Sequence, residues 1–329
     1  LITDPLAGPA QASMSSPTIL LDLPATPTPS HNGGKVRIGP HDDVNVVIGD
    51  LNGREGKAQN FENGTDLDGS GGILTVSQDG DTARNGVLGT THPADKYLGY
   101  GFRNSFGIDY DPLTGIFWIA ENGDTSDDEI NLVESGFNSG WKQLMGMAPV
   151  GFNSSKLTDF DGKGNYSDPK FVWTNSVGLT AIEFLNSSRL DVEYQNDAFV
   201  GDYNNGRIHD FTLNAERDGF VLTGVLEDKV ANTDYENQDV IFGEGFDRVT
   251  DIREGPDGYL YVLSFEKGEI YRIMPKNPLA FVFTDHLQQM HMLYVAAVVL
   301  DVSTTLPVLL LSYAINSGFD SLTCNGEYI

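Results

Sequence analysis

Residues 249–273 read VTDIREGPDGYLYVLSFEKGEIYRI. Around the Gly-Pro-Asp-Gly turn, Tyr259, Tyr261 and Leu263 recur at every second position, the period of a strand and not of a helix. An alternating run, a turn and a second β-rich run make one unit. The same grammar recurs in KVRIGPHDDVNVVIGD, in FGIDYDPLTGIFWIAENG, and in LTAIEFLNSSRL with DAFVGDYNNGRIHDFTL. The turns fall near Pro40, Pro112, Asn186 and Pro256, about 70 residues apart, regular enough to mean repetition. No window before residue 280 sustains a helical period, so crossover helices and a parallel sheet are not expected. Four-stranded units repeated around a central channel make an all-β propeller whose loops build a site at one mouth. A β-sandwich, the other candidate, would not require a period of this length.

The bulk properties are those of a globular chain: 329 residues, 40% apolar, 20% charged, with 15 prolines. A formal charge of -27 excludes a phosphate backbone as partner, so nucleic acid is not expected. It favours divalent cations, although surplus acid more often serves as a solvated surface. The single cysteine, Cys324, forms no intramolecular disulfide. Sequons at Asn63, Asn153, Asn165 and Asn186 would be acceptors only in a secreted protein. The chain opens on Leu1 without a basic and apolar leader, and reads as a mature or truncated product.

Two Gly-, Asn-, Asp- and Ser-rich insertions, 51–72 and 146–168, are long enough to be functional or mobile. The repeat defines a domain over 1–277, and TILLDLPATP near its start reads as the last strand of an earlier unit. Residues 278–329 lack the repeat. Within them 292–314 is apolar enough to cross a bilayer but is interrupted by Asp301 and Pro307. A membrane anchor, an appendage and a tail foreign to the domain all stay open, the anchor least favoured.

Between Ile119 and Trp141, Glu121, Asp124, Asp127, Asp128, Glu129 and Glu134 crowd together with no basic residue. Their mutual repulsion calls for water or a cation. The spacing is not an EF-hand: with Asp124 first, Glu129 stands where Gly is needed and Ser135 where the bidentate Glu belongs. From these residues alone, calcium and a solvated turn are equally good readings.

The segment YGFRNSFGIDYDPLTGIFWIAENGDTSDDEINLVESGFNSGW resembles the pyrroloquinoline quinone (PQQ)-dependent sugar dehydrogenases, the glucose/sorbosone dehydrogenase family. The resemblance rests on Arg-Asn-x-x-Gly, Glu-Asn-Gly, Asp-Glu-Ile-Asn and Gly-x-Asn-x-Gly-Trp in order, and HNGGKVRIGP and DRVTDIREGPDGYLYVL add two further signatures. It implies a six-bladed β-propeller, here lacking part or all of the first blade, with PQQ over the channel mouth and Ca2+ fixing it. It also implies an aldose as substrate, an external electron acceptor, and a location outside the cytoplasm, periplasmic or at the cell surface.

By the same resemblance His31 is the catalytic base, a role that suits a neutral imidazole near pH 7. Arg103 and Asn104 contact the quinone, and an arginine there would stabilise developing negative charge. Gly123 and Asp124 supply oxygens to the cofactor's calcium, and Glu129 helps hold a second one, although Ser139 replaces the aromatic ligand common there. Arg248 matches one of two arginines that clamp the cofactor's carboxylates. Thr250 replaces the other. Asn204 and Asn205 stand where some members carry a cation, leaving Arg207 nearest. Trp118, Trp141 and Trp173 are assigned to packing. Asp42, Asp50 and Asp257 are assigned to turns, and Asp127 and Asp128 to solvating theirs. The reading is a PQQ-dependent aldose dehydrogenase forming a lactone. Its rival is a calcium-stabilised, non-catalytic propeller that binds a protein or glycan.

Overall fold

In the computed structural model each repeat closes into its own antiparallel sheet. The innermost strands are Val36–Ile38, Ser105–Tyr110, Leu179–Phe184 and Val249–Glu254. Each pairs with a second strand, respectively Val44–Ile48, Phe117–Glu121, Ala198–Asp202 and Leu260–Ser264. Third strands follow at Gly72–Val76, Asp128–Val133, Arg207–Phe211 and Glu269–Ile273. Pro40, Pro112, Asn186 and Pro256 all lie in the link between first and second strand, where the turn residues of the repeat require them. Fourth strands Tyr97–Tyr100, Phe171–Trp173 and Ile241–Glu244 follow in the first three sheets, and short parallel strands extend the first sheet (Phe137–Asn138, Asn165–Tyr166) and the second (Val230–Ala231). The structure describes residues 17–83 and 86–275, and the backbone of three further strands, 292–299, 308–315 and 323–325.

The alternating pattern feeds a different core from each face of a sheet. Phe117 and Ile119 pack with Val47, Ile73 and Leu98 of the first sheet. Their neighbours Trp118 and Ala120 pack with Phe184, Val200 and Phe211 of the third. Phe199 and Ile208 in turn meet Val249, Ile252 and Val262 of the fourth. Phe117–Glu121 is therefore buried at every position. Burial of every position in this near-continuous apolar run marks a strand covered on both sides, as in a sheet sandwiched between its neighbours. Each large apolar side chain so buried contributes about 1.5–3 kcal/mol. Innermost strands approach backbone to backbone: a Cβ on Gly107 would lie 2.7 Å from the Ala181 carbonyl carbon.

Charged residues of the innermost strands form one alternating chain. Arg37 joins Asp109 (2.5 Å) and Glu183 (3.1 Å). Glu183 accepts from Arg253 (2.7 Å), which neighbours Asp251 (3.5 Å). Asp251 accepts from Lys35 (2.6 Å), so the fourth sheet is tied back to the first.

Among the described residues helix is confined to 3-10 turns, the longest being Glu236–Val240. None is long and apolar enough to cross a membrane. Of the apolar segment 292–314, Met292–Val299 is a strand paired with Val308–Ile315 in a separate three-stranded sheet, and 300–307 lie outside the described residues.

Candidate active site

A cleft of about 580 Å3 opens where segments flanking the innermost strands converge, lined by His31, Arg103, Asn104, Asn122, Gly123, Asn204 and Thr250. Residues 219 positions apart in sequence, from His31 to Thr250, thus meet at one mouth, because every repeat delivers its loop to the same end.

His31 occupies the left-handed region (φ 57°). Its Nδ1 lies 2.6 Å from Asp50 Oδ1, with the imidazole 18% and the carboxylate 1% exposed. Asp50 Oδ2 accepts from Trp141 Nε1 (2.9 Å), and the Asp50 amide donates to the Arg103 carbonyl (2.7 Å). A carboxylate at Nδ1 selects the Nδ1–H tautomer and leaves the Nε2 lone pair to take a proton. Gly49 makes the convergence possible: a Cβ there would lie 2.5 Å from the carbonyl oxygens of both His31 and Arg103. Asp50 is thus the partner of the candidate base, not merely a turn residue like Asp257, which accepts from Tyr259 N and Tyr261 OH. Trp141 packs as expected but also bonds Asp50, and the Arg103 guanidinium lies 5.4 Å from its ring centroid. Trp118 and Trp173 belong to the core.

Arg103 Nη1 donates to the carbonyls of Gly123 (2.7 Å) and Asn122 (3.3 Å), and Nη2 to Asp124 Oδ1 (2.9 Å). Asn122 Nδ2 donates to the carbonyls of Asn104 (3.1 Å) and Leu179 (2.8 Å). Asn104 Oδ1 and Asn122 Oδ1 are buried without a hydrogen-bond partner. Carbonyl, amide and carboxylate oxygens, some unpartnered, are the ligands a hard cation takes from an irregular loop. Among the described residues no three His, Cys, Asp or Glu side chains group as a metal cage, so a cation here would depend on main-chain oxygens.

The acidic turn divides into two environments. Asp128 is fully buried and solvates nothing. Its Oδ1 accepts from Gly123 N (2.9 Å), and its Oδ2 from Ser176 Oγ (2.9 Å), Val177 N (2.7 Å) and Gly178 N (2.7 Å). One carboxylate therefore clasps two walls of the cleft, and burial raises its pKa against the pull of those donors. Glu129 lies away from the cleft beside Glu121, both buried. Ser139 Oγ is 2.8 Å from Glu121 Oε2 and 2.9 Å from Glu129 Oε1. A hydroxyl has one proton to give, so it satisfies one carboxylate and must accept from the other, which then carries a proton. Asn131 Nδ2 and Gly146 N also donate to Glu129. Glu129 thus sits beside a second buried carboxylate, Glu121, outside the lining of the cleft. Burial pushes Glu129 up to about 7, and Glu121, further repelled by Glu129, well above its ordinary value.

The far end of the cleft is neutral. Asn204 Nδ2 donates to the Ser176 carbonyl (3.0 Å), and Thr250 Oγ1 to that of Leu263 (3.3 Å). Arg207 is outside the lining and held by Asp234 and Glu244. Arg248, 49% exposed, bonds Glu266 (3.1 Å) and Tyr203 OH (2.9 Å) and lies over the Tyr203 ring, which lines the cleft. Of the four positions expected to meet a carboxylated ligand's acids, none presents an uncommitted cation.

A histidine–carboxylate pair, an arginine and an oxygen-rich turn thus meet at the mouth of successive sheets. The glucose/sorbosone dehydrogenase family model matches residues 6–272, and the chain belongs to that family. It is 28% identical over 275 residues to aldose sugar dehydrogenase YliI of Escherichia coli K12, covering 79% of this chain and 64% of that protein. The soluble aldose sugar dehydrogenase of Escherichia coli in its apo form superposes with a TM-score of 0.55 at 23% identity, over 76% of this chain and 65% of that one. The PQQ-bound aldose sugar dehydrogenase of Streptomyces coelicolor gives 0.53 at 19% identity, over 75% and 62%. The chain spans slightly less than two thirds of the length of these relatives.

Proposed function

We propose that this chain carries the active site of a PQQ-dependent aldose dehydrogenase that oxidises an anomeric hydroxyl to a lactone and passes electrons to an external acceptor. The observation that carries this reading is the meeting of the Asp50-held His31 with Arg103 and the Gly123 turn in one cleft. The four sheets are read as four blades of a six-bladed propeller. That reading is supported by apolar side chains left exposed on the first sheet (Val36, Ile38) and the last (Leu263, Ile270).

Bound PQQ would supply the hydride-accepting quinone, with calcium as Lewis acid at its oxygens. Arg103 and Asn104 are the residues to hold it. A cleft of about 580 Å3 accommodates a flat polar ring system at the arginine end. His31 Nε2 takes the hydroxyl proton, and Asp50 holds the ring in the required tautomer and stabilises the imidazolium that forms. Asn204 and Thr250 offer only neutral groups to the ligand's remaining carboxylates. That one feature favours the rival reading, a non-catalytic calcium-stabilised module.

Dye reduction by purified protein with PQQ, Ca2+ and an aldose tests the proposal. The expected outcome is turnover that falls about 10²–10⁴-fold in His31→Ala, with a smaller loss in Asp50→Asn at unchanged quinone binding. Equal rates in wild type and His31→Ala overturn the assignment, and quinone that never binds supports the non-catalytic module.

A further inference from the structure

The Arg103 guanidinium sits on the oxygens a cation would need. Nη1 and Nη2 together engage the Asn122 and Gly123 carbonyls and the Asp124 carboxylate, while the side chain is 11% exposed and braced by Trp141. The same turn holds the unpartnered Asn122 Oδ1, on a residue only 8% exposed. A guanidinium and a hard cation seek the same lone pairs, and two positive charges cannot share them at ligand distance.

We propose that Arg103 is a tethered cation competing with a divalent cation for the Asn122–Asp124 turn, and that cation binding releases its guanidinium to face an anionic ligand in the cleft. The inference rests on the reading that this cleft takes calcium with an anionic redox ligand. Without the cation, the cleft's one lining arginine is satisfied by its own loop and the site is electrostatically quiet. With it, the guanidinium is displaced toward the ligand and the cation's charge lies beside it. By linkage, cation and anionic ligand then tighten each other's binding by the same factor. The competition reconciles Arg103's place in the cleft lining with the commitment of its guanidinium to the Asn122–Asp124 turn. Asp128, bonded to Gly123 N, keeps the turn in place during the exchange, so only a side chain has to move.

Calcium titration of the full chain without quinone, by calorimetry and by Trp141-sensitive fluorescence, tests this. Removing a competitor should strengthen binding: Arg103→Ala is expected to bind Ca2+ about tenfold or more tightly than wild type, the worth of one hydrogen bond to a charged group. Arg103→Lys, which cannot span three oxygens, should fall between them and keeps the test valid should the alanine variant not fold. Wild type should show a fluorescence change on calcium addition that is absent in Arg103→Ala. Calcium affinity that is equal or weaker in the variants, or no calcium binding by wild type and variants alike in the millimolar range, overturns the competition. Either result leaves the sugar oxidation to be decided separately by the His31→Ala assay, which keeps PQQ and Ca2+ saturating.

Discussion

Two groups of charge, one partly exposed on and beside the innermost strands and one buried, are built on opposite plans. On the innermost strands Asp109, Arg37, Glu183, Arg253, Asp251 and Lys35 alternate in sign, three of each, and every member has an opposite neighbour. At the end of the second sheet Glu121 and Glu129 face each other with only Ser139 between them. The first cancels its own field. In the second, burial raises both carboxyls and Glu129 further repels Glu121, so a proton is held there to higher pH than on a free glutamate. Alternation makes the inner group a structural tie among sheets, whereas like charges make the outer one sensitive to its surroundings.

Three experiments would break or sharpen that contrast. The largest effect is expected from Glu183→Ala, which strips both Arg37 and Arg253 of a buried partner. Urea unfolding should show a loss of about 3 kcal/mol or more, and a loss below 1 would mean the alternating chain is decorative. Next is the pH response of the like-charged pair. Folding raises Glu129 from 4.5 to about 7, mainly by burial, so the folded state holds that proton longer than the unfolded one. Stability is therefore full below the unfolded value and falls by up to about 3 kcal/mol as pH rises through 7. Asp109, also raised to about 7 by burial and by Glu183, adds a parallel fall. Glu129→Gln should remove only its own share, flattening the decline between pH 5 and 8, and an unchanged slope would show that the pair does not hold the proton. The smallest effect belongs to Lys35→Met at the partly exposed link to Asp251, where about 1 kcal/mol or less is expected.

Much of this was written in local pattern. Period-two runs and the Gly, Pro, Asn and Asp turns that bound them mark the four sheets because strand geometry and turn conformation are decided within a few residues. The cleft was legible through its motifs, and His31, Arg103, Asn104 and Gly123 do meet. What escaped was decided at long range. Asp50 has the same local setting as Asp257, and only the fold brings it to His31 and to Trp141, 91 residues on. Asp128 looks like surface acid, but its donors come from residues 176–178. Arg207 and Arg248 are diverted by Asp234, Glu244 and Glu266, as expected where 47 acids surround 20 bases and capture any flexible cation.

The Asp128 clasp has a kinetic meaning. Since one carboxylate joins the Gly123 turn to the Ser176–Gly178 segment, moving either rim alone would break hydrogen bonds to the other, so the two rims are coupled in motion.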